Sequence, residues 1–160
     1  MTSLPVAASS GVPSSLTVVA ASRQLSLMAA DGSPTDFVAE PDGGGRRVDL
    51  AGRSVLICED EPLVGYDIAF CVEDAGGRAI GPFASVQDAL AQLELALPDA
   101  AILDVNLIDG DVTPVLLRLL DSRVPLVVNT GTRIPEEAEE RDVTVFIKPT
   151  QPEILIRAIA

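Results

Sequence analysis

A chain of 160 residues that is 48% apolar but only 3% aromatic can fold one domain around an aliphatic core of Val, Leu, Ile and Ala. Its formal net charge of −13 makes a surface that repels phosphate backbones and anionic lipid, so direct binding to nucleic acid or a membrane is not expected. The absence of histidine excludes Ser-His and Cys-His catalysis and His-bound zinc.

Residues 1–51 form a low-complexity extension. The first thirty are rich in Ser, Ala, Val and Pro, and the stretch that follows carries EPDGGGRR with little apolar periodicity. Residues 17–29 have the pattern of a short helix that would bury little surface, and Gly43-Gly44-Gly45 reads as a flexible linker. Composition predicts that most of this extension is disordered. The start is faintly signal-like but has no basic residue before its apolar part, and no apolar run approaches the ~18 residues of a membrane span. A soluble, cytoplasmic protein is the expectation.

The texture changes at residue 52, where a single domain, 52–160, begins. SVLIC (54–58) reads as a buried strand. Pro62 suits the first turn of a helix that would bury Leu63, Val64, Ile68, Cys71 and Val72 and stop at Gly76-Gly77. AIGPF (79–83) is a second strand, and Pro82 argues for a sheet edge. A helix over 86–97, a strand over 100–105, a helix over 113–120 and a strand over 125–130 follow. RIPEEAEERD holds one or two helical turns. A fifth strand spans 144–148 and a last helix 152–160. Cys58 and Cys71 lack metal-ligand spacing and read as small buried hydrophobes. Continuous apolar strands alternating with helices predict an α/β fold with a parallel sheet covered on both faces.

In such a sheet, ligands bind beyond the carboxyl ends of the strands. The first strand ends in Glu59, Asp60 and Glu61, the third in Asp104, the fourth in Thr130 and Gly131, and the fifth in Lys148, the chain's only lysine. Each group alone is most simply a solvated turn. Together they supply a carboxylate cluster that needs a hard cation such as Mg²⁺, together with a hydroxyl and an ammonium able to cradle phosphoryl oxygens. No glycine-rich phosphate loop of the nucleotide-binding kind is present.

The motifs VLICEDEP (55–62), ILDVNL (102–107), VVNTGT (127–132) and FIKPT (146–150) resemble the receiver domain of two-component response regulators. The resemblance covers about two thirds of the chain. It implies a flavodoxin-like three-layer sandwich with a five-stranded parallel sheet, order 2-1-3-4-5, and a shortened fourth helix. It implies that Asp104 accepts a phosphoryl group from a histidine kinase or histidine phosphotransfer protein. Glu59, Asp60, Asp104 and the backbone carbonyl of Asn106 would hold Mg²⁺. Thr130, Gly131 and Lys148 would bind the phosphoryl group, and Lys148-Pro149 would be a cis peptide.

Val145 stands where many receivers carry a switch aromatic, and the fourth and last helices are short. With no output domain after Ala160, the expectation is a stand-alone phosphoacceptor, not an enzyme in the ordinary sense, with a possible downstream protein partner. Two alternatives stand beside it. One is a pseudo-receiver that only binds proteins. The other is a Mg²⁺-dependent phosphatase with an aspartyl intermediate, although that chemistry wants DxD after the first strand, where this chain has Glu59-Asp60-Glu61.

Overall fold

The computed structural model describes residues 18–19, 48–134, 136–141 and 143–160. The expected disorder of the extension therefore lies outside the described residues, except at Val18–Val19. These two form strand β1 rather than part of a short helix. The elements continue as β2 (Ser54–Cys58), α1 (Pro62–Asp74), β3 (Arg78–Phe83), α2 (Val86–Leu95), β4 (Ala100–Leu103), β5 (Asn106–Leu107), β6 (Gly110–Asp111), α3 (Thr113–Asp121), β7 (Leu126–Thr130), α4 (Glu136–Glu140), β8 (Thr144–Ile147) and α5 (Pro152–Ile159).

The sheet runs β1-β8-β7-β4-β2-β3, and every pairing in it is parallel. The five strands expected from the apolar runs thus lie in the order 2-1-3-4-5, a flavodoxin-like arrangement. The expected count of five falls one short, because β1 adds an outer strand against β8, with Val18 opposite Val145 and Val19 opposite Phe146. A two-residue pairing carries almost no periodic signal, so composition alone could not reveal it.

Alternation along each strand distributes side chains to two cores. Val55, Ile57, Ile102, Val127 and Phe146 join Ile68 and Val72 of α1 and Leu155, Ile156 and Ile159 of α5 on one face. Leu56, Cys58, Leu103, Val128 and Val145 join Ala89 and Leu93 of α2 and Val115, Leu116 and Leu119 of α3 on the other. Val145 is fully enclosed there.

Helix α1 departs from its expected packing at one end. Leu63 is 82% exposed, and with Tyr66 and Phe70 it forms an apolar stripe facing outward. Gly65, Ile68 and Val72 take the inner face instead. Gly65 is required there: a Cβ would sit 2.7 Å from the Pro82 ring. Pro82 belongs to the edge strand β3 and follows a cis peptide after Gly81. Gly81 has φ +107°, and a Cβ on it would meet the Ile57 carbonyl at 2.7 Å, where the β2–β3 register shifts. The expected reach of the third strand to residue 105 is too long, because the chain leaves the ladder after Leu103 and turns into the β5–β6 hairpin.

Candidate phosphoryl-acceptor site

Four parallel strands end side by side, and their last backbone bonds carry the ladder into the site. Asp104 N–H donates to the Cys58 carbonyl at 2.8 Å, Glu59 N–H to Phe83 at 3.0 Å, and Lys148 N–H to Thr130 at 2.9 Å. Glu59, Asp104 and Lys148 are thus each the first residue past a strand, fixed by a neighbour strand rather than by a free loop.

Glu59 is 2% exposed and Asp104 7%. One carboxylate oxygen from each of Glu59, Asp60 and Asp104 lies within 4.8 Å of the others. Lys148 reaches across from the end of β8. Its Nζ donates to Asp104 Oδ2 at 2.7 Å and to both Glu59 oxygens, at 2.9 and 2.8 Å. The Lys148-Pro149 peptide is cis.

Burial pushes the Glu59 carboxyl up from its ordinary range, against the hydrogen bond and attraction of Lys148. Burial also works against the Lys148 ammonium, but its bonds to Asp104 and Glu59 prevail and hold it above the ordinary lysine range. One ammonium facing three carboxylates leaves the cluster short of positive charge. Hard oxygen donors at this spacing fit a small divalent cation.

Thr130, fully buried, ends β7, the strand between those that carry Lys148 and Asp104. Gly131 is exposed, and a Cβ there would meet only Lys148 Cβ, at 3.9 Å. Asn106 begins β5, and its N–H donates to Asp104 Oδ1 at 3.4 Å.

Some supporting residues were not singled out from the sequence. The Asn106 side-chain amide donates to Thr132 Oγ1 at 2.8 Å. Thr132 in turn bonds Thr130, N–H to Oγ1 and hydroxyl to hydroxyl, both at 3.1 Å. The signal for this was present: a Thr-Gly-Thr after a strand is built for a hydroxyl-to-backbone turn. Asp109, in the tip of the β5–β6 hairpin, accepts from the N–H groups of Val86 and Gln87 at 2.6 and 3.0 Å. It holds the start of α2 beside the Ser85 cap, which accepts from Asp88 N–H at 3.1 Å. Those two backbone donors hold the Asp109 carboxyl below its usual range. Cys58 is inert by contrast, its thiol pushed up to about 12 by burial.

No family model matches the chain. It is 31% identical over 112 residues to the transcriptional regulatory protein PdtaR of Mycobacterium tuberculosis, an alignment covering 67% of this chain and 55% of that protein. The solution structure of SdrG from Sphingomonas melonis is 34% identical with a TM-score of 0.58, over 66% of this chain and 92% of SdrG. The response regulator PhyR of Brucella abortus is 28% identical with a TM-score of 0.57, over 70% of this chain and 49% of PhyR. The chain spans about half the length of the curated relatives it matches.

An acidic cluster and a lysine lie at the carboxyl edge of a parallel sheet, and the solved structures share the fold that carries them. The chain belongs to the response regulator receiver family. Among the described residues, no helix is long and apolar enough to cross a membrane.

Proposed function

We propose that Asp104 accepts a phosphoryl group from a phosphohistidine on a sensor kinase or histidine phosphotransfer protein, in a Mg²⁺-dependent phosphorelay. The observation that carries this reading is the contact of Lys148 Nζ with Asp104 Oδ2 at 2.7 Å, inside the cluster of Glu59, Asp60 and Asp104. Glu59, Asp60, Asp104 and the Asn106 carbonyl would hold the cation. When bound, it supplies charge that offsets the developing negative charge on the phosphoryl oxygens.

In the transfer, an Asp104 oxygen attacks phosphorus as the P–N bond to the donor imidazole breaks. The electron pair leaves on the ring nitrogen, which takes up a proton. Lys148 is positioned to follow the incoming oxygens, because its flexible stem carries a compact charge. Water later attacks the aspartyl phosphate, releasing inorganic phosphate and restoring the carboxylate.

The stripe of Leu63, Tyr66 and Phe70, each 65–82% exposed, starts three residues after Asp60 of the acidic cluster. It supports docking of an apolar helix that brings the donor histidine to Asp104.

Intact-mass measurement after incubation with acetyl phosphate and Mg²⁺ tests the proposal. The expected result is gain of one phosphoryl group by the native chain and none by Asp104→Ala. Uptake by Asp104→Ala, or no uptake by the folded native chain, refutes it.

A further inference from the structure

Among the described residues, Thr130 Oγ1 has no hydrogen bond to Asp104 or Lys148. Every hydrogen bond found for this oxygen among the described residues comes from Thr132. The hydroxyl sits in a fully buried residue, where a donor without an acceptor is costly. Thr132 is exposed and would rotate freely on its own. It is held instead by the Asn106 amide at 2.8 Å, which reaches across from the start of β5. The three side chains form one line from Asn106 through Thr132 to Thr130, joining the two loops that flank the acceptor carboxylate.

We infer that Thr132 is a positioning residue: its hydroxyl, clamped by the Asn106 side chain, engages the Thr130 hydroxyl in a hydrogen bond with which a phosphoryl oxygen must compete. The inference rests on the phosphoryl-acceptor reading above. Either oxygen can donate in the hydroxyl–hydroxyl contact, and binding of a phosphoryl-like anion by the Thr130 hydroxyl must break it or turn its proton, so the latch opposes occupancy. The backbone bond from Thr132 N–H to Thr130 survives substitution of the side chain, and only the hydroxyl contact is at stake.

The probe is beryllofluoride with Mg²⁺, titrated against the full chain and followed by the amide resonances of Thr130 and Gly131. Thr132→Val removes the hydroxyl at constant shape, and the net worth of one hydrogen bond sets the expected gain at about fivefold tighter binding. Thr132→Ser retains the native affinity. Asn106→Ala, which keeps the backbone carbonyl, also tightens binding, and the double variant with Thr132→Val gains no more than Thr132→Val alone, because both break one line. Unchanged affinity in Thr132→Val, or additive gains in the double variant, overturns the latch while leaving the acceptor site standing. Failure of the folded native chain to bind the probe at all overturns the acceptor reading and the latch with it. Thr132 is exposed, so equal melting temperatures of native and variant chains separate a latch from a folding defect.

Discussion

Replacing Lys148 with methionine keeps the length and apolar stem of the side chain and removes only its charge and donors. The structure says what is left behind. Glu59, 2% exposed, loses the donor to both its oxygens, and Asp104, 7% exposed, loses its 2.7 Å partner. Two buried carboxylates then face each other and Asp60 with no cation between them. Breaking a fully enclosed pair costs about 3–5 kcal/mol. The Lys148 side chain is itself 21% exposed, so water screens part of this, and about 3 kcal/mol is the working figure. Glu59 limits the loss by taking up a proton, which burial already favours. At about 4 °C per kcal/mol for a domain of this size, Tm falls by about 12 °C in buffer containing a chelator. Divalent cation should then restore more stability to Lys148→Met than it adds to the native chain, since the ion takes over the missing charge. The assay is thermal denaturation by circular dichroism, with and without Mg²⁺. Equal Tm for the two chains in chelator would refute the reasoning, because it would mean that the ammonium does not neutralise the cluster.

Two further outcomes follow from local packing and charge. Gly65→Ala places a methyl 2.7 Å from Pro82 and forces α1 off β3, so it should lose about 1–3 kcal/mol, measured by urea denaturation. Asp99 accepts from both the backbone N–H and the hydroxyl of Ser54, at 2.7 and 2.8 Å, and these bonds hold its carboxyl below its usual range. Its folded pKa lies below the unfolded one. Its contribution is therefore complete above the unfolded value of about 4 and is lost as pH falls through the folded value. Asp99→Asn should flatten the acid limb of the stability–pH curve below about pH 4 and leave its slope near neutrality unchanged, as followed by equilibrium unfolding.

Local sequence was enough for most of the frame. Five apolar runs became five parallel strands, and SVLIC matched β2 to the residue, because a strand buried on both faces must be apolar at every position. Pro62 marked the first turn of α1 for an equally local reason, its missing N–H. The acidic run after the first strand, Asp104 and the lone Lys148 were also legible, as ionised groups placed where an apolar run stops. What lay beyond reach depends on residues distant in the chain. Leu63 has the helical spacing of a core residue, yet Gly65 is the position pressed against Pro82, and only the crossing of α1 over β3 decides which of the two faces inward. The pairing of Val18–Val19 with β8 and the line from Asn106 through Thr132 to Thr130 join segments separated in sequence by many residues. Periodicity reports what a segment can bury. Which partner buries it, and which hydroxyl turns toward which loop, was decided by the tertiary fold, because hydrogen bonds and close packing act over a few ångströms and only folding sets those distances.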